Sequence, residues 1–293
     1  MLLYHRQKPL AIVNCILYTV NCKIYTVKPR THERRMIFLK TIVFSNQKGG
    51  VSKTTSANAL TFGLMGKNKK VLAVDTDPQG NFSFSMGIDP LNTQHTLYEA
   101  LKGMCDVQEA LQNRLNGVDV LSVGLEAAAA DMELVSLPAR EYRLKDILNT
   151  FKADYDYCVI DTSPTLGLLT MNALTAADEL IIPLTLDAYG LMGINQLGGF
   201  ITNIRKYTNP DLKVKGILIT KYNERLNISQ SLIDTVQRAA DSMRTVVFNT
   251  KIRESVAVRE VQATQGILFD DAPKAGASQD YLQFVDEFLK MEE

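Results

Sequence analysis

From Met36 onward two apolar patterns alternate along the chain. Short runs such as YCVIDT and ELIIPLTL are apolar at nearly every position, while the longer stretches between them space apolar residues at helical intervals. A strand with one face in water alternates with period two, so runs apolar on both faces are strands covered on both sides, as in a parallel sheet wrapped by helices. The pattern predicts strands over 37–45, 70–75, 118–123, 156–161, 179–186, 213–220 and 245–248. Helices are predicted near 53–66, 97–113, 139–151, 167–177, 190–207, 228–243, 254–264 and 277–291. The fold class that follows is α/β: a doubly wound, mostly parallel sheet of about seven or eight strands with helices on both faces. No repeat or low-complexity linker interrupts the alternation, and residues 36–293 are expected to form a single domain.

Residues 1–35 break the pattern. Basic ends flank a short apolar middle, AIVNCILYTV, which faintly imitates a secretory signal. That run is too short to span a bilayer, and no small-residue cleavage site follows it cleanly. The segment is read as an N-terminal extension, an appended leader outside the fold. No transmembrane helix is expected elsewhere.

Composition adds little until it is localised. The 32 Lys plus Arg balance the 32 Asp plus Glu, so whole-chain charge points neither to a nucleic-acid binder nor to an acidic-tail protein. Yet residues 200–260 carry eleven basic against six acidic residues, and 264–293 two against seven, so an anionic partner is expected to meet the middle region. Cys15, Cys22, Cys105 and Cys158 show no C-x-x-C spacing, which argues against a structural zinc site or a dithiol redox motif. Idle thiols in a reducing cytosol are the simpler expectation.

In a doubly wound sheet, ligands bind beyond the carboxyl ends of the strands. Three predicted strands end in polar motifs: SNQKGGVSKTT (45–55), DTDPQGN (75–81) and DTSP (161–164). The first lacks both glycines of the common phosphate-loop pattern, since Gln47 and Ser52 occupy those positions, and it holds a second lysine, Lys48. Successive N–H groups from Gly49 through Gly50, Val51, Ser52 and Lys53 to Thr54, at the start of a helix, form a nest for phosphate oxygens. Lys53 is expected to reach the β and γ phosphates, Thr55 to support the α phosphate, and Thr54 and Asp161 to hold Mg²⁺. Asp75 and Asp77 stand two apart, and Asp77, in a turn before Pro78, is a candidate for polarising an attacking water and for the ion's coordination shell. The ligands expected are therefore ATP and Mg²⁺.

These stretches resemble the ParA/Soj family of partition ATPases, P-loop NTPases with the deviant motif K-G-G-x-G-K-[ST]. TLYEALKG (96–103), YDYCVIDTSPTLGLLTMNALTAAD (155–178) and GASQDYLQFVDEFL (276–289) add to the likeness, which spans roughly 38–290. The resemblance implies that Lys48 crosses a dimer interface to the partner's nucleotide, that Gly49 lets two loops face each other, and that Asp77 is needed for hydrolysis. It also implies an ATP-dependent homodimer in the cytoplasm at the nucleoid, which binds double-stranded DNA without sequence preference and is reset by a ParB-like partner. Arg205, Lys206, Lys221, Arg225, Lys251 and Arg253 are the candidate DNA contacts, with Lys213, Lys215 and Arg259 adding to the local charge. Ser52 departs from the family's glycine and is expected to weaken or slow turnover if the backbone there needs positive φ. Two other readings stay open: a nucleotide-gated dimeric adaptor with little turnover, and a MinD-like membrane-associated regulator. The acidic end DEFLKMEE argues against the second, and Cys158, within a strand, against an iron–sulfur reductase.

Overall fold

Side chains on the central strands alternate between two hydrophobic layers, as a period of two requires when both faces are covered. Ile42 and Phe44 enter one layer and Val43 the other; Val71 and Ala73 oppose Leu72 and Val74; Val159 opposes Cys158 and Ile160. In this computed structural model the described residues are 18–20, 23–25, 39–89, 93–113, 117–223 and 230–293. Contacts divide the chain into two units, Met1–Met36 and Ile37–Glu293. In the first, strands β1 (Tyr18–Val20) and β2 (Lys23–Tyr25) pair antiparallel.

The second unit holds seven strands: β3 (Lys40–Phe44), β4 (Val71–Asp75), β5 (Leu111–Asn113), β6 (Asp119–Ser122), β7 (Tyr157–Asp161), β8 (Glu179–Thr185) and β9 (Lys213–Thr220). Their order is β5-β6-β4-β7-β3-β8-β9, parallel throughout except for β5 at the edge. One face is covered by helices Lys53–Gly66, Val256–Ala263, Leu268–Asp271 and Gly276–Lys290, the other by Leu97–Lys102, Arg143–Asn149, Leu168–Ala176, Ala188–Tyr207 and Gln230–Met243. This is the doubly wound α/β architecture expected from the sequence.

Winding leaves β3 in one direction toward β4 and in the other toward β8, so the crevice at its carboxyl end is the natural ligand position. Strand register sharpens this. Asp161 pairs with Phe44 on one side and with Asp75 on the other, so the last residues of β3, β7 and β4 lie in one row. Pro183 is tolerated inside β8 because the β3 pairing has already ended at Ile181, and its carbonyl accepts the Asn46 side-chain amide at 2.7 Å.

Three predicted elements differ. The helix expected over 97–113 breaks at Gly103, whose φ of 75° ends the first turn; Asp106 then caps a second helix, Val107–Ala110, and Leu111 begins the antiparallel edge strand. Residues 245–248 lie beside β9 but make a single bridge, Val247 to Ile217, rather than a strand. The helix Asn81–Ser85 and the short helical turns between Leu125 and Ser136 carry too few periodic residues to be read from pattern. The C-terminal helix packs Tyr281, Phe284, Val285 and Phe288 into the core, so its apolar face is occupied. Among the described residues no helix is long and apolar enough to cross a membrane.

Candidate functional site

The chain leaves β3 through a turn that no ordinary side chain favours. Gly50 has φ 71°, and Ser52, the residue capping helix Lys53–Gly66, has φ 63° and ψ 31°. Left-handed backbone costs a non-glycine residue about 1 kcal/mol, so the serine holds a conformation better suited to glycine. The turn is pinned from outside: the Thr220 hydroxyl donates to the Val51 carbonyl at 3.0 Å, and the Thr162 hydroxyl to that of Phe44 at 2.9 Å.

Inside it, Lys53 is buried and its ammonium donates to the Lys48 carbonyl at 3.3 Å. Burial pushes the Lys53 pKa down, opposed by the nearby Asp161 and Asp77 carboxylates. Thr54 donates its hydroxyl to Asp161 Oδ2 at 2.6 Å. Asp161 is fully buried, and its other oxygen, Oδ1, has no hydrogen-bond partner among the described residues. Burial, then the Asp75 charge, pushes the Asp161 carboxyl well above the ordinary range. A shielded carboxylate oxygen without a donor, beside a hydroxyl, is a donor set that fits a hard divalent cation.

Asp75 does different work from Asp77. It is buried at the end of β4, where its carboxylate accepts the Asp77 N–H at 3.0 Å, the Ser83 N–H at 2.7 Å and the Ser83 hydroxyl at 2.8 Å. It therefore fixes the loop that carries Asp77, whose own carboxylate accepts the Gln79 N–H at 3.0 Å. Burial pushes Asp75 up to about 6 in spite of those donors.

Lys48 turns elsewhere. Its backbone N–H donates to Asn46 Oδ1, and its ammonium sits 2.5 Å and 2.6 Å from the two Asp187 oxygens and 3.0 Å from the Thr185 hydroxyl, at the carboxyl end of β8. Asp187 also caps helix Ala188–Tyr207 through the Gly190 N–H at 2.8 Å. Burial works against that carboxylate, and Lys48, Thr185 and Gly190 outweigh it, holding its pKa below the usual range. Within one chain, then, the second lysine is held by its own Asp187.

Gly49, Gly50, Ser52, Lys53, Thr54, Thr55 and Asp77 line one side of a cavity of about 640 Å³. Its far wall is Ile252, Glu254, Val258, Arg259 and Gln262, with Gln262 donating to the Thr55 hydroxyl at 3.0 Å. Sequence reasoning missed that wall, because a helix contributing van der Waals surface has no motif. The candidate DNA contacts have different surroundings. Lys221 and Arg253 line this cavity, and Asp280 grips the Arg253 guanidinium with two contacts of 2.7 Å. Lys251 stacks over Tyr222 and Lys206 over Tyr207, while Arg205 is half-buried and donates to the Leu212 carbonyl. Lys215 is tied to Glu179 and Glu292 at the amino end of the sheet, away from the site. Arg225 lies outside the described residues.

A left-handed turn entering a helix at the end of a central parallel strand, with a buried lysine and a hydroxyl set against a strand-end aspartate, is the architecture of a P-loop NTPase. Comparison with known proteins agrees. A family model described as "AAA domain" matches residues 39–214. The Myxococcus xanthus chromosome partitioning protein ParA is 43% identical over 68% of this chain and 70% of its own length. The Bacillus subtilis sporulation initiation inhibitor protein Soj is 36% identical over 85% of this chain and 97% of its own length. The structure of a Mycobacterium smegmatis cobyrinic acid a,c-diamide synthase with bound ATP analogue and magnesium superposes with TM-score 0.77 at 32% identity, over 87% of this chain and 96% of that one. The chain belongs to the ParA/Soj family of partition ATPases.

Two measurements follow from the site. A carboxyl with a raised folded pKa stabilises the fold fully below its unfolded value, 3.8 for Asp75, and loses that contribution as pH rises through about 6. Denaturant midpoints of the ligand-free protein, taken from about pH 5 to 7.5, should fall more steeply for the wild type than for Asp75→Asn; parallel curves would refute the assignment. Ser52→Gly relieves a left-handed strain already present without ligand, so it should raise the stability of the fold to denaturant by about 1 kcal/mol. An unchanged or lower denaturant midpoint for the glycine variant would refute that strain, and weaker nucleotide binding in an equilibrium titration would show that the serine hydroxyl contacts the ligand.

Proposed function

We propose that this partition ATPase hydrolyses Mg²⁺-ATP slowly, pairs with a second copy when ATP is bound, holds double-stranded DNA without sequence preference in that paired state, and is reset when a ParB-like partner stimulates hydrolysis. The reading rests above all on the row formed by the ends of β3, β7 and β4: Lys53, Thr54 and Asp77 line one cavity, and Asp161 lies buried behind it, 2.6 Å from the Thr54 hydroxyl. The Mycobacterium smegmatis structure, with its ATP analogue and magnesium, supports the same pair of ligands here.

Gly49 to Thr54 would present backbone N–H groups to phosphate oxygens, and the buried Lys53 ammonium would face the β and γ phosphates. Thr54 and Asp161 would hold the ion, Thr54 exchanging its hydrogen bond with Asp161 for coordination. Magnesium, when bound, supplies charge neutralisation across the phosphates. Asp77, fixed by Asp75, is positioned to orient and polarise water. Lys48 would exchange Asp187 for a phosphate of the paired copy, so that pairing and nucleotide occupancy become one event. The exposed Lys206, with Arg205 and Lys251, remains the proposed source of phosphate contacts on DNA, doubled by pairing. Such a protein acts in the cytoplasm, at the nucleoid.

The adaptor reading, pairing on ATP with little turnover, draws support from the strained Ser52. Nothing comparable favours the membrane regulator, since the apolar face of the C-terminal helix is buried.

Sedimentation velocity with ATP, ADP or no nucleotide tests the proposal. Wild type is expected to shift to a dimer with ATP alone, and Lys48→Ala to remain monomeric while still binding nucleotide. Asp77→Ala should dimerise on ATP yet release phosphate at least about 100-fold more slowly. A Lys48→Ala protein that pairs as well as wild type would contradict the exchange.

A further inference from the structure

On the sheet face away from helix Lys53–Gly66 lies a second set of metal-ligating atoms. A ring nitrogen of His95, the Cys105 thiol and a Glu109 carboxylate oxygen all lie within 4.8 Å of one another. None of the three lines the cavity of the phosphate loop. We propose that His95, Cys105 and Glu109 form a binding site for a thiophilic divalent cation, of which zinc is the best fit.

The residue types carry the first part of the case. Thiolate with imidazole selects zinc over magnesium or calcium, and three protein ligands leave a fourth, tetrahedral position for water. Bond lengths of about 2.3 Å to sulfur and about 2.0 Å to nitrogen place tetrahedral ligand atoms about 3.5 Å apart. The observed spread, within 4.8 Å, is about an ångström wider than that spacing and would have to close on binding.

The backbone is fixed on both sides of the cluster. Thr96 and Glu99 form a reciprocal cap on helix Leu97–Lys102, immediately after His95. Gly103, with φ 75°, turns the chain back, and Asp106 and Glu109 form a second reciprocal cap on Val107–Ala110, immediately after Cys105. Glu109 uses Oε2 to accept the Asp106 N–H at 3.1 Å and keeps Oε1 for a ligand. Glu99 Oε2 stands 3.8 Å from His95 Nδ1. A small turn of the ring lets Nδ1–H donate to Glu99 while Nε2 faces the ion, the carboxylate–histidine–metal relay that orients many zinc ligands.

Charge points the same way. Glu99, Glu109 and Asp106 set three carboxylates near the Cys105 thiol, a surrounding that favours a cation. Binding of a divalent ion would release the thiol proton to solvent. The His95 side chain is 37% exposed and Glu109 is exposed, so an ion reaches the site without unfolding. Bound, it would tie residue 95 to residues 105 and 109 and clip the two short helices together beside the sheet edge.

The test uses the full chain carrying Cys15→Ser and Cys22→Ser, which removes the thiols of the N-terminal unit. Cobalt(II) is titrated in as a spectroscopic stand-in, followed by competition with zinc against a chromophoric chelator. A thiolate-to-cobalt charge-transfer band that zinc abolishes is expected. Cys105→Ser should lose the band, and His95→Ala and Glu109→Gln should each weaken zinc binding by roughly tenfold or more. Circular dichroism identical to the parent shows that a variant has lost ligands rather than its fold, and zinc should raise the melting temperature of the parent but not of Cys105→Ser. Absence of the band in the parent, or its survival in Cys105→Ser, overturns the proposal.

Discussion

Two carboxylates held out of water beside one buried lysine set the terms for the whole carboxyl rim. Asp161 and Asp75 end adjacent parallel strands in register, so the sheet itself forces their charges together in a place that water does not reach. Neither can ionise cheaply alone, which is why both pKa values rise. Asp75 answers with three donors from its own loop; Asp161 has one hydroxyl and an oxygen left without a partner. The described residues leave that oxygen unpartnered, and in the proposed reading a cation held with polyphosphate would complete it. On that reading, stability is given up locally for a site that its ligand would finish.

The second lysine follows the same logic. Lys48 sits where its backbone carbonyl meets the Lys53 ammonium and its side chain meets Asp187, on the strand beyond β3. Both ends of the loop are therefore connected by hydrogen bonds to the sheet, and a change at Lys48 reaches the helix that Asp187 caps. Lys48 thus touches the Lys53 ammonium through its carbonyl and, through its own ammonium, the residue that caps helix Ala188–Tyr207.

Much of this was legible in the chain. Buried parallel strands must be apolar on both faces, so YCVIDT and ELIIPLTL were unmistakable, and the acids that end such runs marked the rim without any structure. Ser52 was legible as an anomaly because a turn of that shape favours glycine. What stayed hidden had no local signature. Helix Val256–Ala263 forms the far wall of the cavity through surface alone, Asp187 meets Lys48 across 139 residues, and Asp75 differs from Asp77 only in how its loop folds back. The basic surplus at 200–260 says less than its count for a related reason: composition counts charges but not their surroundings, and Lys215 and Arg253 are held by acids from distant segments. Cysteine spacing likewise could not register a site that uses one thiol with a histidine ten residues earlier.

The central claim is that Asp161 is left incomplete so that nucleotide and cation bind as one. Calorimetric titration of ATP into the protein, with and without magnesium and with Asp161→Asn, tests it most directly. The account predicts that magnesium tightens ATP binding strongly in the wild type and scarcely at all in Asp161→Asn. Equal magnesium dependence in the two proteins would contradict it.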